Sequence, residues 1–503
     1  MLTNYLLSIF LQKQVRCLFL IVIFCLLSSN INAQWSADPL VNLKVGFGAE
    51  SQFQAKICPC SDGGCYISWY DEGSSYDVRL QRLDADGYEK WASNGIIVAD
   101  LNLSWVQDYG MDVDSSDNVI LAFLDDRLPS MQVTANLISP DGTLLWGADG
   151  VQLTSAPGTA FLGMPKAAVT DDGYYVIGWS QESDGVLQKL AADGTPQWSS
   201  PVIICDLGTE TFQLSDLKSS DAGSVIVSLI REIFPVYRYL DAQKIDADGN
   251  FLWGLPHVNV FDGGSLQMGN FPEFVSDGNG GAVFGWYHVS AGLQCNVQRI
   301  YSDGSEAFAH NGVAASVNTN FRAYPSVSFN QTTGEIFLFW VEMNSGETFQ
   351  GVYGQKFASD GTRMWTDFGK EITPVDLNQT SNIRNLQYAD GAMVYFIESI
   401  SLSYDCIQGA RVDTDGNFVW TPDILNVSTV SSYKTMLAAA LSPKNISLLA
   451  WSDDRNDTGD VYTQNVHTDG SMGIKSFTVP AVSTLMFVLI LMVIGIATFR
   501  RLN

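Results

Sequence analysis

Charged residues are scarce in this sequence, and basic residues are the scarcest. Only 16% of the 503 residues are charged, against about 25% in an average soluble protein. Lys and Arg number 27 against 54 Asp and Glu, which gives a net charge of −27. Proteins that bind nucleic acids need clusters of Lys and Arg for phosphate contacts. The composition therefore excludes nucleic acid as a partner.

Histidine is also rare, which limits the enzyme chemistry that the chain can support. The four residues, His257, His288, His310 and His467, lie far apart in the sequence, so little is available for a metal centre or a catalytic triad. We therefore expect neither metal nor cofactor. Hydrolysis of glycosides needs only two carboxylates, so an enzyme that acts on polysaccharides stays open as an alternative.

The N-terminus has the pattern of an export signal. Lys13 and Arg16 precede an apolar run over residues 17–27, and small and polar residues follow up to Ala33. A charged segment, a short apolar segment and a small-residue end are typical of a cleavable signal peptide. The sequence predicts a signal peptide over residues 1–33.

The C-terminus predicts a different kind of segment. Residues 479–499 are 21 positions without a charge, followed by Arg500 and Arg501, which is about the length of one membrane-spanning helix. Positive residues after the span predict a cytoplasmic end. The order Val479-Pro480, apolar segment, Arg-Arg resembles the C-terminal sorting tails of Gram-negative surface proteins, although the Pro-Glu-Pro of the best-known class is missing. A plain single-span anchor is the alternative for residues 476–503.

Cysteine usage agrees with export. Cys58, Cys60 and Cys65 flank the residues Ser61-Asp62-Gly63-Gly64, which have the composition of a hairpin turn. Oxidising compartments favour disulfides, and no His lies nearby to complete a zinc site. The sequence predicts one cross-strand disulfide to Cys65, from either Cys58 or Cys60.

A repeat of about 55 residues is the strongest signal in the chain. Asp-Gly pairs recur at the same point of each unit, and their glycines lie 55, 52, 55, 55, 57, 55 and 54 residues apart. These glycines are Gly87, Gly142, Gly194, Gly249, Gly304, Gly361, Gly416 and Gly470. Most units contain four runs with β-branched and aromatic residues, separated by Gly-marked turns, and this pattern predicts four strands per unit.

Four strands per unit, repeated eight times, predict an all-β fold, a single eight-bladed β-propeller over residues 34–475. The eighth unit ends after Asp469-Gly470 without a fourth strand. The missing parts, a Trp and an apolar run, occur near the N-terminus as Trp35 and residues 40–43. The N-terminal strand should therefore complete the last blade and close the ring. The Trp that follows each Asp-Gly pair should pack against a neighbouring blade.

The pattern Asp-x-Asp-Gly-x-x-x-Trp, as in residues 84–91, 246–253 and 413–420, resembles two groups of propellers. One is the tryptophan-docking motif of eight-bladed quinoprotein dehydrogenases and of the related outer-membrane assembly scaffold. The other is the class of bacterial surface propellers with Trp-x-Asp and Asp-x-Asp-Gly repeats. The second is closer, because residues 451–455 and the Gln-Lys or Gln-Arg pair before the turn belong to it. The adjacent cysteines of the quinoprotein enzymes are missing.

One position of the repeat is a candidate ligand face. Two residues after the second strand, the units carry mostly polar or charged side chains: Asp71, Asp125, Gln181, Arg231, His288, Glu342, Glu398 and Asp453. If these side chains share one face of the ring, they could bind a cation such as calcium, a glycan or a basic partner. The alternative is that each acid caps its own turn or pairs with a nearby Arg, such as Arg127 or Arg455. The Asp-Gly turns themselves lack the ligands of a full calcium loop.

These observations together predict an exported protein, displayed at the cell surface or anchored to the membrane of a Gram-negative envelope. The function they favour is non-catalytic binding or adhesion, with a glycan or a protein as partner and with the membrane contacted through the C-terminal helix. The alternative is an exported enzyme, either quinoprotein-like or acting on polysaccharide.

Overall fold

The computed structural model describes residues 35–475, except 74, 155–160, 206–207, 209, 234–236, 291 and 402–403. The predicted signal peptide and C-terminal tail lie outside the described residues. Within them, no helix has the length and apolar character needed to cross a membrane.

Eight antiparallel four-stranded sheets make up the fold, and each sheet is one blade. Strands follow one another in chain order across seven blades, and the eighth combines three C-terminal strands with the N-terminal one. The first strands of successive blades contact each other around the whole ring, including the last blade with the first. The prediction of an all-β, eight-bladed propeller is confirmed.

The first four blades occupy the N-terminal half of the ring. Blade 1 contains β2 (Gln52–Pro59), β3 (Cys65–Glu72), β4 (Tyr76–Leu83) and β5 (Ile96–Asp100). Blade 2 contains β6 (Gly110–Val113), β7 (Val119–Asp125), β8 (Gln132–Ile138) and β9 (Val151–Gln152). Blade 3 contains β10 (Leu162–Val169), β11 (Tyr175–Gln181), β12 (Asp184–Leu190) and β13 (Val202–Ile204). Blade 4 contains β14 (Thr211–Ser219), β15 (Val225–Ile233), β16 (Tyr237–Ile245) and β17 (Val258–Phe261).

The other four blades complete the ring. Blade 5 contains β18 (Phe274–Ser276), β19 (Ala282–His288), β20 (Gln294–Ile300) and β21 (Val313–Ala314). Blade 6 contains β22 (Phe321–Phe329), β23 (Ile336–Met343), β24 (Gln350–Phe357) and β25 (Lys370–Glu371). Blade 7 contains β26 (Gln379–Tyr388), β27 (Gly391–Ser401), β28 (Tyr404–Asp413) and β29 (Leu425–Ser428). Blade 8 contains β30 (Lys434–Leu441), β31 (Ser447–Asp453), β32 (Asp460–Val466) and β1 (Leu43–Gly46).

The N-terminal strand closes the ring, as the sequence predicts. Strand β1 pairs antiparallel with β32, with Leu43 opposite Thr463, so a chain-terminal strand removes the free edge of blade 8. The strand begins three residues later than the start of the predicted run over 40–43. Leu40 and Val41 are more than half exposed, whereas Val45 is fully buried. Burial of the later residues therefore sets the register.

An aromatic ring from each blade docks onto the next blade, and in seven of the eight blades this ring is a tryptophan. The indole Nε1 donates to a backbone carbonyl in the neighbouring Asp-Gly turn over 2.9–3.2 Å, and the turn glycine packs on the ring. These tryptophans are Trp35, Trp91, Trp146, Trp198, Trp253, Trp365 and Trp420, while Phe308 packs on Gly361 in the remaining blade. Trp35 completes the circle by joining blade 8 to blade 1 through the Ala85 carbonyl. The predicted packing role is confirmed.

The tryptophans do not open the fourth strands, contrary to the sequence-based expectation. Trp91 precedes the first residue of β5, Ile96, and Trp365 precedes the first residue of β25, Lys370. The reason is geometric, because the indole must leave the plane of its own sheet to reach the next blade. The residues between the Trp and the fourth strand make this turn.

The Asp-Gly pairs form the turns between third and fourth strands. Their glycines all have φ between 82° and 90°, which is the left-handed region that Gly adopts at no steric cost. In the turn of blade 3, the Asp193 carboxylate accepts the Thr195 N–H over 3.0 Å. The side chains of these turns therefore bind their own backbone, which agrees with a turn rather than a calcium loop.

Candidate functional site

The ring of positions that the sequence singled out lies at the ends of the second strands. Its members are Asp71, Asp125, Gln181, Arg231, His288, Glu342, Glu398 and Asp453, each in the strand or at the last residue of the strand that precedes the loop to the third strand. We call this surface the loop face. The sequence placed these residues two positions beyond the second strands, whereas the second strands extend to include them.

Several of these side chains hydrogen-bond the Trp two residues before them. Trp340 Nε1 donates to Glu342 over 2.7 Å, and Trp451 Nε1 donates to Asp453 over 3.0 Å. In blade 3 the same bond, at 3.1 Å, runs from Trp179 to Gln181. Because residues two apart in a strand point to the same side of the sheet, this spacing satisfies a buried indole N–H in these three blades, whereas the indole N–H groups of Trp69 and Trp286 have no partner among the described residues.

Basic side chains neutralise most of the remaining charge on the loop face. Asp125 pairs with Arg127 over 2.6 Å, and Asp71 pairs with Arg79 over 2.5 Å. Burial opposes ionisation of the Asp125 carboxyl, but the hydrogen bonds from Arg127 outweigh burial and keep its pKa below the usual value. Arg231 is likewise held by Asp241 over 2.6 Å.

The other loop-face side chains do not form a shared site either. His288 stacks on Phe261 with ring centroids 4.9 Å apart, and burial lowers the pKa of its imidazole. Burial raises the pKa of Glu398, which is half-buried. Among the described residues, no group of three or more His, Cys, Asp or Glu side chains is placed to hold a metal ion. The geometry agrees with the alternative in which each acid has a local partner.

A second region, the central channel, was not anticipated from the sequence. It is a cavity of about 740 Å³ on the ring axis, and seven of the eight blades contribute side chains to it. Ligand pockets for small molecules commonly measure about 300–1,000 Å³. The channel is lined mainly by the first strands of the blades, so these strands are the innermost ones.

Left-handed residues recur at one position of the first strands. Five side-chain-bearing residues there have φ between 54° and 56°, namely Gln54, Met164, Tyr324, Asn382 and Met436. The pairing register with the second strand shifts at each of them, which marks a β-bulge. Bulges redirect nearby side chains, and such strained conformations concentrate at functional sites.

The residues two positions after the five bulges, together with those at the equivalent position of blades 2, 4 and 5, form one ring, which we call the channel ring. They share the register that pairs Lys56 with Ser68 in blade 1 and Arg384 with Tyr395 in blade 7. Going around the axis, the channel ring consists of Lys56, Gly110, Lys166, Asp216, Glu273, Ser326, Arg384 and Ala438. In a chain of net charge −27, three of eight positions carry a cation.

Some channel charges are paired within the protein. Asp108, at the start of blade 2, accepts Lys56 over 2.6 Å and also binds Lys166 at close range. Burial would raise the pKa of the Asp108 carboxyl, but the two ammonium groups hold it far below its usual range. Lys218, two residues after Asp216 in the first strand of blade 4, pairs with Asp216 over 3.2 Å.

Two channel-ring charges have no such partner. Within the described part of the chain, the Glu273 carboxylate makes neither an ion pair nor a hydrogen bond, and its side chain is exposed to the channel. The Arg384 guanidinium donates one bond, over 3.0 Å, to the carbonyl of Ile383. Arg384 is the strongest of the cations that hold the pKa of Glu273 below its usual value. Both groups line the channel, and the described residues leave most of their hydrogen-bond donors or acceptors unused.

Aromatic side chains lie beside this pair. Phe271, Tyr287 and Tyr324 line the same cavity, and Tyr324 is 55% exposed. The rings of Tyr287 and Tyr324 are 5.4 Å apart at an angle of 58°. The channel therefore combines a cation, a carboxylate and apolar ring faces.

The three cysteines near the first hairpin are free thiols in the structure, without the predicted disulfide. Pro59 is the residue opposite Cys65, and Cys58 lies opposite Tyr66. Neither Cys58 nor Cys60 therefore faces Cys65 directly across the strands, which explains the difference from the sequence-based expectation.

One signal in the sequence could have indicated the channel. Only 27 basic residues occur in the chain, yet Lys56, Lys166, Lys218 and Arg384 all lie in first strands. Sequence reasoning concentrated on the loops after second strands, where the carboxylates stand out. The bulges that orient the first-strand side chains leave no mark in the pattern of residue types.

No family model and no curated protein matches this sequence. Solved structures resemble its fold. The Dos1 propeller is 11% identical with a TM-score of 0.46, and the match covers 85% of this chain and 95% of that one. An ulvan lyase bound to a GlcA(1-4)Rha3S unit is 10% identical with a TM-score of 0.44, covering 87% and 97%. A protein of unknown function from Dyadobacter fermentans is 9% identical with a TM-score of 0.40, covering 84% and 97%. At these identities and TM-scores, the likenesses carry no argument about function.

Proposed function

We propose that this protein is a non-catalytic binding propeller, exported and displayed at the cell surface, which takes its ligand into the central channel. The observation that carries this proposal is the pair Glu273 and Arg384. Both are charged, both line the cavity, and neither has a charged protein partner within bonding reach in the described part of the chain. The Asp108 and Asp216 carboxylates of the same channel, in contrast, are paired with lysines.

The two charges add little to the stability of the fold, because neither has an ion-pair partner in the described part of the chain and both stay in contact with the channel. Removing a charge from water costs free energy that only a partner or retained water offsets. A side chain that served stability would therefore be paired, as the acids of the loop face are. The channel pair is best explained by a ligand that supplies the missing partners.

Export and surface display rest on the two terminal segments. The predicted signal peptide directs residues 34–475 out of the cytoplasm, and the apolar tail with Arg500 and Arg501 retains them at the membrane or passes them to a sorting system. The ring would then present the channel to the surroundings of the cell, which is the arrangement of a binding or adhesion module.

The test compares channel variants with a loop-face variant of the full-length chain. Wild type is screened on glycan and peptide arrays, with calcium and with chelator. Bound compounds are then titrated against Glu273→Gln/Arg384→Gln and against Glu398→Gln, a matched carboxylate change on the loop face. We expect the double variant to lose binding by tenfold or more, with the loop-face variant unchanged. The reverse order of effects would refute the channel as the site.

The same samples address the alternative of an exported enzyme. Saccharides recovered after incubation with the protein are sized by chromatography. Chains of unchanged length are expected for a binding module. If the wild type shortens the saccharides and the double variant does not, the channel is a catalytic site.

A further inference from the structure

We infer that the channel ligand is an acidic saccharide, with its anionic group bound by Arg384 and its hydroxyl groups bound by Glu273. This inference rests on the proposed function and specifies the chemistry of its ligand.

Arg384 supplies the anion-binding group. A guanidinium presents a planar fork of N–H donors that matches a carboxylate or a sulfate, and its one bond in the described structure, to the Ile383 carbonyl, leaves most donors unused. Lys56 and Lys166 belong to the same channel ring and reinforce the positive field, although Asp108 binds both. An anionic group is therefore favoured beside Arg384.

Glu273 selects the kind of donor that accompanies the anion. An ionised carboxylate only accepts hydrogen bonds, so the ligand must bring either hydroxyl groups or an ammonium group. Four cations, Arg384, Lys218, Lys166 and Lys56, act on the Glu273 carboxylate. Three of them are paired with Asp108 or Asp216, so Arg384 is the cation that disfavours a further positive charge beside Glu273, while a neutral hydroxyl is not disfavoured. A ligand with hydroxyl groups is thus favoured over an amino acid or a peptide N-terminus.

The aromatic lining and the volume fit sugar rings. Tyr324 exposes more than half of its surface beside Phe271, and flat apolar faces of this kind pack on the C–H face of a pyranose. Arg238 already covers one face of Phe271 at 5.3 Å, so Tyr324 is the more open platform. A cavity of about 740 Å³ holds a few sugar units rather than a folded partner.

The experiment is calorimetric titration of the purified full-length chain with four probes. They are oligogalacturonate, a sulfated galactan oligosaccharide, a neutral cello-oligosaccharide and a dipeptide. We expect the carboxylated or the sulfated probe to bind at least tenfold more tightly than the neutral one. Comparison of the two acidic probes identifies which anion Arg384 prefers.

Variants tie the preference to the proposed residues. Arg384→Gln should weaken the acidic probe by tenfold or more, and Arg384→Lys should recover part of this loss because it keeps the charge without the fork. Glu273→Gln should weaken it less and should not improve binding of the dipeptide, because the change removes the negative charge that could accept an ammonium group. Thermal melting of each variant checks that the ring remains folded.

The outcomes separate this inference from the proposed function. Equal binding of neutral and acidic saccharides, abolished by Glu273→Gln/Arg384→Gln, would overturn the inference and leave the channel as a binding site. Preference for the dipeptide would do the same. Acidic-saccharide binding that the double variant leaves unchanged would overturn both, and so would binding of none of the four probes together with blank arrays.

Discussion

Replacing Trp35 should weaken the closure of the ring between blades 8 and 1. Trp35 is 2% exposed, donates to the Ala85 carbonyl over 3.1 Å and packs on Gly87. It lies eight residues before β1, which joins the N-terminus to blade 8. Loss of the indole removes the contact that holds this segment on blade 1.

The magnitude follows from burial and from a comparison within the chain. Replacement of a buried Trp by Ala commonly costs about 3–5 kcal/mol, and we expect Trp35→Ala to lower the free energy of unfolding by that amount. Trp35→Phe should cost only about 1 kcal/mol, the typical value of one hydrogen bond. Phe308 fills the equivalent position on Gly361 without an indole N–H, which shows that the fold accepts a phenyl ring there.

Urea unfolding followed by far-ultraviolet circular dichroism measures these differences as shifts of the midpoint at unchanged slope. Hydrogen exchange of β1 and β32 reports the local opening directly. The control is Trp105→Ala, because Trp105 is 48% exposed and exposed substitutions commonly change stability by less than about 0.5 kcal/mol. If Trp35→Ala shifted the midpoint no more than Trp105→Ala, closure by the N-terminal segment would be refuted.

Three further changes test other parts of the structure. Gly304→Ala should destabilise the ring by at least about 1 kcal/mol in urea unfolding, because its φ of 85° disfavours a Cβ, which would also lie 3.0 Å from the Trp253 ring. Glu306 and Asp262 raise the pKa of His310, so its stabilisation is present below pH about 6.5 and disappears as the pH rises through the folded-state pKa. His310→Gln should remove this pH dependence of the unfolding free energy, which is below about 1 kcal/mol for an exposed pair. The measurement is the urea midpoint of the wild type and of the variant at pH 5.5 and 8.5. The same shift with pH in the two proteins would contradict a role for His310. Alkylation of the unfolded, unreduced chain should modify all three thiols of residues 58–65, namely Cys58, Cys60 and Cys65. If two of them resisted alkylation, the disulfide predicted from the sequence would be supported instead.

The sequence predicted the architecture because propeller packing repeats along the chain. Each Asp-Gly turn needs a left-handed glycine and each blade needs a docking aromatic ring, so both recur at a fixed spacing. Trp35 could be assigned to blade 8 for the same reason. The start of β1 at Leu43 was missed because it depends on which residues the last blade buries.

The candidate site was predicted less well because its residues do not repeat. The sequence placed Asp125 and Asp453 two residues beyond the second strands, whereas both are the last residues of those strands, and their roles depend on Arg127 and Arg455, two residues later. From the sequence, pairing with Arg127 and Arg455 stayed open as the alternative to a ligand face. The distances of 2.6 and 2.5 Å in the structure agree with that pairing. Glu273 and Arg384 lie in different blades, so no spacing along the chain relates them.

The repeated positions hold the blades together and the unrepeated positions line the channel, and this difference bears on function. Contacts between blades hold the ring through buried aromatic and aliphatic side chains, whereas Glu273 and Arg384 line the channel. At Glu273 and Arg384, which form no ion pair within the described residues, a change therefore leaves inter-blade packing intact, whereas Gly110 lies against the backbone of blade 3 and Asp108 joins Lys56 and Lys166. Rigid scaffolds with variable linings favour specific binding because the ligand pays no ordering cost for the site. Substitutions at Glu273 and Arg384 should consequently alter ligand choice with little effect on the unfolding midpoint, and a large loss of stability in both would instead make the pair structural.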